Sequence, residues 1–423
     1  MAQNLLVDPS APIPRPEWVD AINAEGRMWA DAGMLADMVP LSLGSLLDAA
    51  FRETGLRDMG DPDWEEPLTV LINALETEAE LNLMGRLATR SELLLFIRNR
   101  LKLIDLVRRN PEIRNQQIDA PIIITGLPRT GTSILQEVLH QDPRLRTPLF
   151  WEIYFMGESA ISGGQDQVAR ALGDRVARQW IRMTPQIQTM HETAGDIPAE
   201  DASVWNYSFV SDAIMSFYQI PSYHAWVNAC PPELIYKYHR LALQALQWRA
   251  PKRRWFGKTL YHLGCLPKLF DAYPDARVIH THRDPLRSMA SITNLLRTFY
   301  WSRSDQDFDN PGFEEIMVGE ATARRLEQVM AWRDTGAVPD AQIIDSRYQD
   351  LVEDPARAAK HIYDGLGMSF DAEDAERVRH YLAYKPKHKF GAHQYRAMSA
   401  DQVARNRPHF KRYQDRYNVP DEA

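Results

Sequence analysis

The chain has 423 residues, of which 44% are hydrophobic and 25% charged, with a formal charge of −8. This is the composition of a folded globular protein; it excludes extended disorder and gives no overall attraction to nucleic acid, so any bound anion must be met by local positive groups. Two cysteines, Cys230 and Cys265, are too few for a disulfide framework, and the histidines lack HExxH spacing, so neither a disulfide scaffold nor a metal site is expected.

The opening stretch "MAQNLLVDPSAPIPRPEW" has no basic segment followed by an apolar core, and no apolar run is long enough to cross a bilayer. A cytoplasmic protein with no transmembrane segment is expected. From about Pro40 to Asn110, "LGSLLDAAFRETG", "PLTVLINALETEAELN" and "SELLLFIRNRLKLIDLVRRN" repeat apolar residues at helical spacing, and residues 1–117 read as a helical N-terminal region. The last of these, although basic and amphipathic, is expected to pack on the protein, its Arg and Lys stems covering apolar surface.

At Ala120 the texture changes. Ile122, Ile123, Ile124 and Thr125 form a β-branched run suited to a buried parallel strand, and a helix follows from Ser133 to His140. A second such unit is "PDARVIHTHRDPLRSMASITNLL", with a strand from Arg277 to His282, Asp284 as N-cap and Pro285 at the first helical position. "AQIIDSRY" reads as a third strand, followed by the helix "DPARAAKHIYDGLG" with a C-capping Gly. Mostly helical insertions, roughly 165–250 and 295–333, separate these units. The expected fold of residues 118–423 is α/β, a P-loop-like parallel sheet flanked by helices.

"GLPRTGTS" has the glycine spacing of a phosphate loop, Gly126 and Gly131, but Thr132 stands where a nucleotide triphosphate loop carries Lys. Backbone N–H groups at a helix start bind anions of any identity, so Arg129, Thr130, Gly131, Thr132 and Ser133 form one candidate anion site. Arg283 at a strand end, with Ser288 and Ser291 in the following helix, forms another. Ligands of parallel sheets sit at the carboxyl ends of strands, so the two sites suit one nucleotide with both 5′ and 3′ phosphates.

With these residues the sequence resembles the sulfotransferases that use 3′-phosphoadenosine 5′-phosphosulfate. "PRTGTS" (Pro128 to Ser133) is similar to the family's PKSGTT or PRSGTT phosphosulfate loop, and Arg283 with Ser291 matches the spacing of its 3′-phosphate motif. The resemblance places Lys258, in "GKTLYHLGCLPKLFDAYPDA", near the transferred sulfuryl group and Tyr348, in "RYQDLVEDPARAAKHIYDGLG", near the adenine. It also enlists Lys389 and Gly391, in the basic tail "YKPKHKFGAHQYR", to close over the 3′ phosphate, although that tail reads equally well as a solvated charge run.

The function so implied is metal-free, in-line sulfuryl transfer to a hydroxyl acceptor, with Arg129 and Lys258 stabilising charge. The alternatives are a nucleotide-dependent kinase and a catalytically silent binding module of the same fold. Two residues compete as general base. Glu152, in "PLFWEIYF", lies about where protein-tyrosine and heparan-type members place a Glu; His262 follows Lys258 two residues later than the His of the small-molecule members' Lys-Thr-His triplet, where Leu260 stands here. Aromatic residues between Trp205 and Trp226 and from Thr298 to Trp301 read chiefly as core, some lining an apolar pocket for a small hydrophobic acceptor.

Overall fold

In the computed structural model, which describes residues 13–190, 192–306, 319–385 and 398–422 apart from the side chains of residues 212 and 289–291, five strands make one sheet. They are β1 (Ile122–Gly126), β2 (Leu145–Arg146), β3 (Arg254–Lys258), β4 (Arg277–His282) and β5 (Ile343–Arg347), arranged β2-β3-β1-β4-β5. Every pairing is parallel. β1 is buried along its whole length, so it shows an unbroken apolar run rather than alternation. Its side chains still alternate between two layers. Ile122 and Ile124 pack with Leu135, Leu139, Ile344 and Ile362 on one face. Ile123 packs with Leu269, Leu286 and Phe410 on the other.

The parallel register brings all the strand ends that matter to one edge. Ile124 lies opposite Lys258, Gly126 opposite Thr281, and His282 opposite Arg347. The loop after β1, Lys258, Arg283 and Tyr348 therefore emerge together, as the expected α/β sheet requires. β2 was not foreseen, because two residues carry no periodicity. The helix Pro355–Gly365 ends sooner than expected, with Leu366 at the cap and Gly367 beyond it at φ +67.

The N-terminal helices Glu17–Asp31, Leu43–Thr54, Glu65–Thr77 and Leu83–Arg109 do not carry a core of their own. One hydrophobic cluster, from Leu41 to Trp255, joins the last three of these helices to the first insertion, while Glu17–Asp31 packs through Val19 against Met84, Ala88 and Met183. The basic amphipathic helix Leu83–Arg109 is an interior element. Its Arg100 is fully buried and donates to the carbonyls of Met59 and Tyr207 and to Asp63. None of the helices among the described residues is long and apolar enough to cross a membrane.

His280 and His282 project from β4 to the same side, beside Asp345, Arg333 and Tyr417. His282 is hydrogen-bonded by the Tyr413 hydroxyl at 2.9 Å and by Asp345 at 2.8 Å, while Arg333 grips both oxygens of Asp345. Metal-ligating atoms of His280, His282 and Asp345 lie within 4.8 Å of one another, but those of His282 and Asp345 already have these partners. Burial lowers the pKa of His280, and its neighbour His282 adds to the effect; burial likewise lowers His282 and the distant His262. The unfolded chain takes up these protons below about pH 6.5 and the native chain only at lower pH, so this stability is complete above about pH 6.5 and falls as pH drops. The unfolding free energy from urea titration, level above neutrality, should decline below about pH 6.5, by up to about 1.4 kcal/mol per pH unit for each of the three imidazoles, and the urea midpoint with it. His280→Leu should make the decline shallower. A midpoint that holds steady well into the acid range would contradict this.

Candidate functional site

The loop between β1 and its helix is shaped by close backbone approach. At Gly126 (φ +154) a Cβ would lie 2.3 Å from the Thr281 hydroxyl oxygen and 2.6 Å from its carbonyl, so only glycine lets the chain leave β1 against β4. At Gly131 (φ +91) a Cβ would press on the Tyr348 ring at 3.1 Å. Arg129 itself adopts a left-handed conformation, φ +63. Thr130 is buried, its hydroxyl oxygen 2.7 Å from the Leu127 carbonyl and 2.6 Å from the Thr281 hydroxyl. Its side chain therefore ties the loop to the sheet. The helix Thr132–His140 then starts with Thr132 and Ser133, and the opening N–H groups of a helix have no carbonyl partner within it. Arg129 donates to the Met190 carbonyl at 3.1 Å.

The second expected anion site lies directly beside the first. Arg283 donates from Nη1 to the carbonyl of Arg129 at 3.0 Å, and its guanidinium lies 4.0 Å from the centre of the Tyr348 ring. Tyr348 thus touches both arginine-bearing segments. Asp284 caps the next helix as expected, accepting from Leu286 N at 3.0 Å, and is gripped by both guanidinium ends of Arg407. The remaining face of Arg283 holds the carboxylate of Glu422 through a forked contact at 2.7 to 3.0 Å. The Arg283 fork thus holds one carboxylate of the chain itself. The Ser288 hydroxyl is buried with no hydrogen-bond partner among the described residues. The Ser291 side chain, Lys389 and Gly391 lie outside the described residues.

Lys258, at the end of β3, is buried and pairs with Glu200, whose other oxygen lies 3.5 Å from the Thr259 hydroxyl. Glu200 precedes the helix Asp201–Trp205, and beneath it Asp201 lies 3.3 Å from His262 and 3.6 Å from His239. Burial alone would raise the Asp201 carboxyl, but the nearby His239 imidazole and the hydrogen bond with His262 overcome it and hold Asp201 below the usual carboxylate range. His262 is fully buried, bonded through Nδ1 to the Tyr236 hydroxyl at 2.9 Å. Gly257 allows this packing: a Cβ there would lie 2.0 Å from Asp201 Oδ2.

These contacts bear on both expected bases. His262 is sealed beneath the site with both ring nitrogens engaged. Glu152 is engaged in three hydrogen bonds: it accepts from Arg146 at 3.0 Å, from Leu149 N at 3.0 Å and from Ser159 at 3.2 Å, and its side chain is only 5% exposed. Removing one partner of such a buried pair costs about 3 kcal/mol. Glu152→Ala should therefore lower the unfolding free energy measured in urea by that amount, while the folded fraction keeps its affinity for nucleotide. Glu200 carries little signal in the sequence: "AEDASVW" offers no motif, only a pair of acids ahead of a short apolar helix. Most of the insertion aromatics are core, with Trp205, Tyr207, Phe209 and Tyr223 essentially inaccessible.

The sequence profile of the sulfotransferase family matches residues 121–372, which hold all the strands and Arg129, Lys258, Arg283 and Tyr348. The chain belongs to the sulfotransferase family. Among the family's characterised proteins it is 25% identical over 313 residues to omega-hydroxy-beta-dihydromenaquinone-9 sulfotransferase Stf3 of Mycobacterium tuberculosis and Mycobacterium bovis, covering 71% of this chain and 75% of the relative. The crystal structure of sulfotransferase STF1 from Mycobacterium tuberculosis H37Rv superposes with TM-score 0.70 at 28% identity, over 80% of this chain and 93% of the other. That of sulfotransferase STF9 from Mycobacterium avium gives 0.77 at 22% identity, over 90% and 98%, and shares the fold. Both coverages exceed the 252-residue family segment, so the shared architecture extends beyond the region that the profile matches.

Proposed function

We propose that the protein transfers the sulfuryl group of 3′-phosphoadenosine 5′-phosphosulfate to a hydroxyl group of a small apolar molecule, without a metal ion. The observation that carries this reading is the direct bond from Arg283 to the carbonyl of Arg129, with Tyr348 packed against both segments. It sets the two candidate anion sites side by side, an arrangement that suits a nucleotide phosphorylated at both ends. The Glu422 carboxylate on Arg283 supports the 3′ end as an anion site.

When bound, the donor supplies the sulfuryl group and a phosphate as leaving group. The chain supplies the rest. The loop N–H groups from Gly131 to Ser133 and the Arg129 guanidinium bind the 5′ end, and Arg283 holds the 3′ phosphate. Tyr348 offers a face beside Arg283 for the purine. Lys258, at the end of the strand next to β1, stabilises charge on the oxygen that departs. The name of the relative Stf3 describes a hydroxyl on a long apolar molecule, which supports an apolar alcohol as acceptor class here.

Thermal shift tests the donor assignment. Adenosine 3′,5′-bisphosphate should raise the melting temperature in the presence of EDTA, whereas ATP should give no comparable rise with or without Mg²⁺. Stabilisation by ATP that depends on Mg²⁺ would favour a kinase instead. Binding of the bisphosphate with no transfer to any hydroxyl compound would favour a silent member of the fold.

A further inference from the structure

We propose that Glu200 is the general base that deprotonates the acceptor, and that its ion pair with Lys258 stores the two catalytic groups against each other until nucleotide binds. This rests on the donor assignment above. Glu200 is the carboxylate that touches Lys258, and it also lies 3.5 Å from the hydroxyl of Thr259. Its side chain is 29% exposed while that of Lys258 is 3% exposed, so the carboxylate, unlike the amine, is partly accessible from outside. Neither of the other candidates shares this position: Glu152 is committed to Arg146, Leu149 and Ser159, and His262 to Tyr236 and Asp201.

The surroundings hold Glu200 in place. It ends the segment leading into the helix Asp201–Trp205, and the next residue, Asp201, is fixed from below by His262 and His239 and from the side by Gly257. Asp201 and His262 are therefore positioning residues. When the donor phosphosulfate draws Lys258 toward its bridging oxygen, Glu200 loses its counter-charge and becomes the nearest acceptor for a proton. In the transfer step the acceptor oxygen bonds to sulfur as the bond from sulfur to the bridging oxygen breaks. That electron pair stays on the phosphate oxygen, which faces Lys258, and the hydroxyl proton passes to a Glu200 oxygen. Charge and atoms balance with no other reactant.

The pairing makes two predictions that a purely structural Glu200 would not. Glu200→Gln should lower transfer from labelled donor to farnesol by about 10² to 10⁴ fold, and flatten the acid limb of its pH profile. It should lower transfer to 4-nitrophenol, assayed where that phenol is already ionised, far less. Hydrolysis of the donor by water supplies the same comparison if neither compound is an acceptor. Because the amide no longer competes for Lys258, the affinity of the variant for adenosine 3′,5′-bisphosphate should be equal to or higher than that of the parent. Full farnesol or water turnover with an unchanged pH profile in Glu200→Gln would overturn the proposal, as would an equal loss with the ionised phenol. Failure of the parent chain itself to bind the bisphosphate would instead overturn the donor assignment.

Discussion

Arg283→Ala is expected to weaken adenosine 3′,5′-bisphosphate binding by about tenfold to more than a hundredfold, the equivalent of about 1.5 to 3 kcal/mol for a charge-assisted hydrogen bond. Arg283 is held by the Arg129 carbonyl on one side and by the Tyr348 ring below it, so its fork is oriented before nucleotide arrives. Little ordering is then needed on binding, which favours the upper part of that range. The Glu422 carboxylate works in the opposite direction, because it must leave the fork before a phosphate can enter. Glu422→Gln should accordingly tighten bisphosphate binding, and should do nothing in the Arg283→Ala background. Isothermal titration of the four chains measures both effects; equal affinities in the parent and Arg283→Ala would remove Arg283 from the site.

Lys258→Met is expected to lower turnover by about 10² to 10³ fold, the usual cost of removing one preorganised donor from a developing charge. Methionine keeps the length of the buried stem, so the packing around the end of β3 is preserved while the charge is lost. The bisphosphate product lacks the sulfuryl group, so its affinity should fall much less than turnover does. This separation distinguishes a group that acts in the transition state from one that holds the ground state. An equal fall in both would assign Lys258 to binding alone.

The parts of the fold that were legible in the sequence are those set by near neighbours. β1 announces itself because a central parallel strand is buried on both faces, and the loop after it because glycine is needed where the chain brushes Thr281 and Tyr348. Arg283 could be placed at a strand end from "VIHTHRDP" alone, since Asp284 and Pro285 mark the helix start. The base could not be placed that way. Glu200 meets Lys258 across 58 residues, and Glu422 meets Arg283 across 139, distances bridged only by the packing of helical insertions. Glu152 has a local bond that the sequence also holds: three residues after Leu149, it sits where a carboxylate returns to cap its own helix start.

The central claim is that the Arg129 loop and Arg283 hold opposite ends of one nucleotide. Titrating the parent and Arg283→Ala chains with adenosine 3′,5′-bisphosphate and with adenosine 5′-phosphate, in EDTA, tests it most directly. The substitution should bring bisphosphate affinity down to that of the 5′-phosphate and leave 5′-phosphate affinity unchanged, a coupling of about 1.5 to 3 kcal/mol between the arginine and the 3′ phosphate. Equal losses for both ligands would contradict the account.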